Sequence, residues 1–175
     1  GITVLSPHTI TIAAGTTVNA DSLKVKSGAT LVLANTGTLT VNNDVGLTND
    51  VEIEGIFENQ TTANPDFTAT GTMLIASGGT YKVNGYTANA LMTLTNVTFA
   101  AGTTGGTLYV ASGVPRLSGT YAGNVVWDSP SASCTFLNGN TTISGNFTII
   151  STGVGGINNG SGGAGRLLTV SSNMF

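Results

Sequence analysis

Five of the chain's eight acidic residues fall in one short stretch: Asp44, Asp50, Glu52, Glu54 and Glu58. Carboxylates gathered this way can do two kinds of chemistry. Several oxygens converging on one point bind calcium. Two carboxylates facing each other across a groove cleave a glycosidic bond. Glu52 and Glu54 flank Ile53, so on a strand both point outward from one face. They would then stand side by side, as a solvated acidic face, and neither a metal ligand nor a catalytic residue is assigned.

The other reactive residues are isolated. His8 is the single histidine; it follows Pro7 and has no cysteine near it in sequence, which suits neither a metal site nor a Ser-His-Asp triad. Cys134 is the single cysteine, so an internal disulfide is excluded. It alternates onto the apolar face of Ala132-Ser133-Cys134-Thr135-Phe136 and reads as a small buried hydrophobe. Gly160, Gly162 and Gly165 match G-x-G-x-x-G by letter, but a dinucleotide site needs a helix next. Here 166–170 reads as a strand, so glycine content explains the match and no cofactor is expected.

Aromatic rings could stack on sugars. The candidate glycan contacts are Tyr86, Tyr109 and Trp127. Tyr86 stands in an Asn84-Gly85-Tyr86 turn, and Tyr109, between Leu108 and Val110, should face outward. Trp127 is inside if Val125 is inside, and outside if Val126 is inside. The T-x-T units at Thr9, Thr38 and Thr93 could match ice on a flat face, but only if they fell on successive coils. Glycosylation sequons begin at Asn59, Asn96, Asn140, Asn146 and Asn159; a chain this rich in Asn and Thr produces them by chance.

The elements that must position these residues are short strands. Apolar pieces begin at Leu23, Leu31, Leu39 and Leu47, a constant step of eight, and Val51 and Ile53 follow. Within each piece apolar and polar residues alternate, the period of a strand. Gly37-Thr38-Leu39, Gly71-Thr72-Met73, Gly79-Thr80-Tyr81, Gly106-Thr107-Leu108 and Gly119-Thr120-Tyr121 repeat one signature. In it, glycine is expected to take a φ > 0 corner, threonine to face outward and the apolar residue to enter the core. Eight residues per side and three sides make a coil of about 24 residues, and about seven coils in all. Residues 1–20 read as two opening strands that cap the first coil. Residues 58–69, polar and holding Pro65, read as a protruding loop, and the glycine-rich 153–165 as a flexible one. A last strand, 167–170, precedes an apolar ending at Met174 and Phe175.

Composition narrows the classes further. Charged residues are 7% and hydrophobic ones 40%, so this is not a charge-rich disordered chain. With a net charge of −3 and five scattered basic residues, a nucleic-acid backbone is a poor partner. No apolar run reaches the length of a membrane span. The sequence starts at Gly1, which suggests a processed or excised piece.

The run from Thr9 through Val18, with Leu23-Lys24-Val25, Leu31-Val32-Leu33 and Leu39-Thr40-Val41, resembles the right-handed β-helix repeats of secreted bacterial surface proteins. These include large adhesins of the filamentous-haemagglutinin kind and cargo of the Bacteroidetes type IX secretion system. Asp21-Ser22-Leu23 also resembles the short O-glycosylation motif of Bacteroidetes. The resemblance covers about residues 9–57 and is one of repeat style. It implies an extracellular or cell-surface location and an adhesive or fibre-forming role, and it carries over no catalytic residue.

The expectation is therefore an all-β, single-domain β-solenoid over 1–175, a right-handed three-sided parallel β-helix. It would be a non-enzymatic segment of a surface adhesin or subunit of an extracellular fibre, with no cofactor or metal. Its partners would be other copies or neighbouring domains of a larger surface protein, with glycans as a further candidate. The alternative is a carbohydrate-binding or polysaccharide-degrading β-helix protein.

Overall fold

Alternation decides the elements. Leu23, Val25, Leu31, Leu33, Leu39 and Val41 are all buried, while the residues between them within each strand are only half-buried. The computed structural model of the chain describes residues 1–61, 67–83, 97–111, 117–130, 134–135, 137–152, 157–158 and 167–175. Among these residues there are twenty strands and no helix. The first coil holds β1 (Ile2–Val4), β2 (Thr9–Ile12) and β3 (Thr17–Ala20). The next holds β4 (Leu23–Val25), β5 (Thr30–Leu33) and β6 (Thr38–Val41). Then come β7 (Val51–Ile53), β8 (Ile56–Asn59), β9 (Phe67–Ala69), β10 (Met73–Ile75), β11 (Thr80–Val83), β12 (Val97–Phe99) and β13 (Thr107–Val110). The rest are β14 (Leu117–Tyr121), β15 (Asn124–Asp128), β16 (Cys134–Thr135), β17 (Leu137–Ile143), β18 (Phe147–Ser151), β19 (Ile157–Asn158) and β20 (Leu168–Val170).

All strand pairings among the described residues are parallel, and each joins one coil to the next. One sheet runs β1-β4-β7-β10-β12, a second β2-β5-β8-β11-β13-β15-β18, a third β3-β6-β9. Two more, β14-β17-β20 and β16-β19, belong to the later coils. The chain is thus a β-solenoid of stacked coils. The register advances from Ile2 to Leu23, then to Val51, Met73 and Val97, so coils differ in length and the surplus goes into corners. The seven-stranded sheet takes one strand per coil, in line with the seven coils expected.

The core is a set of ladders in which like positions stack. One runs Leu31, Phe57, Tyr81, Leu108, Val125, Phe147, all buried. Its neighbour runs Leu33, Asn59, Val83, Val110, Trp127, Ile149. Both faces of a parallel sheet usually read as apolar. Here only the inward face does, because the outward face meets solvent.

Four expectations are corrected. Residues 1–20 hold three strands, a full first coil. Leu47 opens no strand: it lies in a turn, half exposed, because Asp44 and Asp50 tie the loop between them. The loop expected over 58–69 is narrower. Glu58 and Asn59 end β8, and Phe67–Ala69 is β9. Asn59 belongs inside because its side chain closes a buried knot. Its Nδ2 donates to the Tyr81 hydroxyl (3.3 Å), and its Oδ1 accepts from Thr61 Oγ1 (2.7 Å). Of the stretch 153–165, only Ile157–Asn158 is described, as strand β19 paired with β16.

The fourth correction concerns the Gly-Thr signature. At Thr36 (68°) and Gly78 (76°) the positive φ belongs to the residue before the signature glycine, and of the signature glycines themselves only Gly119 has one. Gly79 and Gly106 are there for another reason. The register stacks Gly55, Gly79, Gly106, Gly123 and Gly145 at one corner. A Cβ on Gly79 would lie 1.9 Å from the Ile53 carbonyl oxygen, and one on Gly123 2.0 Å from that of Gly106. The coils close on each other only where there is no side chain.

Candidate functional site

The acidic stretch is brought together, but with lysines. Glu52 on β7 lies directly opposite Lys24 on β4, and the two side chains form an ion pair. One step on, Lys26 Nζ lies 2.9 Å from Glu54 Oε1, which is also 3.3 Å from Lys24 Nζ. Ile53 between the two acids is fully buried, so both glutamates stand on the outer face as expected. The hydrogen bond to Glu52 raises the Lys24 ammonium above its ordinary value. The bond from Lys26 holds the Glu54 carboxyl below its own, against the opposing effect of burial.

Asp50 does something different. It is buried, and its carboxylate accepts backbone N–H groups from two neighbouring segments: Asp44 (2.6 Å) and Thr72 (2.8 Å). Those bonds, the Asp44 one first, pull its pKa below the ordinary carboxylate value although burial pushes the other way. Thr72 Oγ1 donates in turn to the Thr48 carbonyl (2.8 Å). The result is a bracket that fixes the loop 44–49 and lifts Val45 fully into solvent. Among the described residues, no three His, Cys, Asp or Glu side chains gather closely enough to hold a metal.

A second polar strip runs along the outer face of the seven-stranded sheet. Glu58, Lys82 and Tyr109 are opposite one another on β8, β11 and β13. Lys82 Nζ is 3.4 Å from Glu58 Oε2 and 5.7 Å from the centre of the Tyr109 ring. The Tyr109 hydroxyl donates to Asp128 Oδ2 at 2.7 Å. This bond, then burial, raises the Tyr109 pKa above its ordinary value. A phenol so held gives up its proton less readily than a free one, and one side of its ring already meets an ammonium.

The remaining sequence candidates disperse. Trp127 is fully buried, as Val125 is, so as a glycan contact it is corrected: its ring fills the core and meets no solvent. Tyr86, the glycine motif at 160–165 and the T-x-T unit at Thr93 lie outside the described residues, as does the Cys134 side chain. Thr9 and Thr38 stand in different sheets, so their T-x-T units build no common face. His8 is exposed in a turn, its N–H bonded to the Leu5 carbonyl. Asn59, the first sequon asparagine, is inside and engaged.

A cleft of about 390 Å³ opens beside β1, lined by Ile2, Leu23, Lys24, Leu47, Asn49 and Glu52 among others. In its lining Lys24 and Glu52 pair with each other, and the Asp50 carboxylate is taken up by backbone N–H groups. Sequence reasoning found the acids but not these ties. The available signal was the shared spacing of Lys24-x-Lys26 and Glu52-x-Glu54, opposite charges in the same pattern on strands that stack. Asp128 as the partner of Tyr109 left no such signal, since the pairing is diagonal across the ladder.

No helix among the described residues is long and apolar enough to cross a membrane. Compared with family models, curated proteins and solved structures, the chain gave no match.

Proposed function

We propose that this chain is a structural, adhesive β-solenoid, a segment of a surface adhesin or a subunit of an extracellular fibre, and not an enzyme. The observation that supports this best is where its charged side chains go. Lys24, Lys26 and Lys82 reach carboxylates one coil away, Tyr109 reaches Asp128, and Asp50 bridges to Thr72. These groups tie coil to coil; they do not converge on a reacting centre. A solenoid held this way resists peeling one coil at a time, because each repeat draws its stability from its neighbours.

The finer architecture belongs to the same reading. Every third strand of the first nine returns to the same sheet, which favours three sides. Right-handed winding is the general preference of parallel crossover connections. An outer face of Thr and Asn with few charges suits a protein that meets its surroundings by broad contact.

The test is location. Antibodies raised against the purified chain should label intact cells of its source, and external protease should remove the label. Labelling only after permeabilisation would overturn the extracellular reading.

A further inference from the structure

We propose that the outer face of the β1-β4-β7-β10-β12 sheet pairs side by side with the same face of a second copy of this chain, the two solenoids running in opposite directions. The pairing stands on this lateral face alone and not on the location proposed above.

The register sets the outward residues of this sheet in two columns. The first holds Thr3, Lys24, Glu52, Leu74 and Thr98. Two residues further along each strand, the second holds Leu5, Lys26, Glu54 and Ala76. Val4, Val25, Ile53 and Ile75 between the columns are buried, so both columns point outward. The middle of the face is thus a square of charge, two lysines on one strand and two glutamates on the next. These side chains meet within the chain, yet each keeps between 24% and 39% of its surface open. On one side of the square stands the exposed Leu5, on the other the half-buried Leu74 and Ala76.

Such a face is complementary to itself in one orientation. A two-fold axis parallel to the strands, midway between β4 and β7, lays each β4 over the β7 of the second copy. Lys24 then faces Glu52 of the second copy and Lys26 faces its Glu54, with the reverse pairs alongside, so eight charges alternate in sign. The same axis lays β1 over β10 and sets Leu5 against Leu74 and Ala76 of the second copy, twice by symmetry. Position along the strands is kept, so both loops 44–49 come to the same end, and with them the exposed Val45 and Leu47. A two-fold axis along the solenoid would instead lay β4 on β4 and β7 on β7, lysine on lysine and glutamate on glutamate, which repel. Charge order therefore selects the antiparallel pair.

The face is five strands wide. At about 4.8 Å per strand and 3.3 Å per residue it offers roughly 400 Å² on each copy, half of the ~800 Å² a stable pair buries. The association is accordingly a weak one, seen at high concentration.

Sedimentation of the wild-type chain across concentration should show a two-chain species, and salt at about 1 M should weaken it at least about tenfold. Lys24→Glu with Lys26→Glu makes the square wholly acidic; Glu52→Lys with Glu54→Lys makes it wholly basic. With folding checked by circular dichroism, each double variant alone should stay a single chain, and the two mixed in equal amounts should pair again. Direction is read separately, without touching the charges. Thr3→Cys and Leu74→Cys, each in a Cys134→Ala chain, should cross-link to each other on mild oxidation and not to themselves. A wild-type chain that stays single at all concentrations, a pair indifferent to salt, or Thr3→Cys cross-linking to itself would overturn the proposal.

Discussion

Gly79 stands so close to the carbonyl oxygen of Ile53, one coil earlier, that a Cβ there would be 1.9 Å away. The neighbouring Gly78 has open space around it but a φ of 76°. Adjacent glycines are therefore required for different reasons, one by sterics between coils and one by local backbone conformation. Gly79→Ala must push two backbones apart and should cost about 3 kcal/mol or more, the upper range for overpacking. Gly78→Ala meets only left-handed strain, roughly 1–2 kcal/mol. Urea unfolding midpoints of the two variants check the order. Equal costs would mean that the corner relaxes and that close stacking does not select the glycine.

Asp50 makes stability depend on acid. Its folded pKa is depressed, chiefly by the N–H of Asp44. A carboxylate lowered in the folded state adds stability that is fully present above its unfolded pKa of about 3.9, and that is lost as pH falls through the folded value. Glu54, lowered by Lys26, adds to the same trend. Stability should thus be flat near neutrality and decline below pH ~4. In Asp50→Asn the amide would turn a donor toward backbone N–H groups that need an acceptor, at a cost of about 1–3 kcal/mol. Thermal unfolding of both proteins between neutral and acid pH checks this. An unchanged acid slope in the variant would assign the acid sensitivity elsewhere.

Much of the architecture was legible because burial is periodic. Leu23, Val25, Leu31 and Leu33 show their facing by position alone, and each is inside. Leu47 has the same letter and the same step of eight, yet it lies in a turn. What holds it there is the Asp50 carboxylate, which takes the N–H of Asp44 and is itself anchored by that of Thr72, 22 residues away. No local pattern contains that bond. The Gly-Thr signature was visible, but its cause was not. Close approach to another coil depends on register, and register appears only once the coils are stacked. The polar ties of Lys24 to Glu52 and Tyr109 to Asp128 were hidden for the same reason.

The lysine–glutamate clamp should respond to charge order more than to charge itself. Lys24 and Lys26 face Glu52 and Glu54 across one strand spacing. Replacing both lysines by glutamate puts four acids on neighbouring strands, and like charges directly opposite repel. That double variant should unfold at a lower temperature than the wild type, and the loss should shrink in high salt. Adding Glu52→Lys and Glu54→Lys restores opposite pairs and should recover most of the loss. Failure to recover would mean that the pairs are incidental to coil stacking. For Glu54→Gln alone the expected cost is under about 1 kcal/mol, because the pair is partly open to water.

Tyr109 separates the structural reading from the carbohydrate-binding one. Its hydroxyl belongs to Asp128, and Lys82 lies over its ring. If it serves the stack, Tyr109→Phe should cost about 1 kcal/mol, the price of one hydrogen bond to a charged group discounted for partial exposure. Tyr109→Ala should cost more, since the ring also packs along the ladder. Asp128→Asn should return the phenol toward its ordinary pKa, read as tyrosinate absorbance appearing at lower pH than in the wild type. Screened against a broad glycan panel, the wild type should bind no more than Tyr109→Ala does. A glycan held by the wild type and lost in Tyr109→Ala, with both proteins equally folded, would instead make this strip a sugar site, with the carboxylates of Glu58 and Asp128 beside the ring to accept its hydroxyl groups.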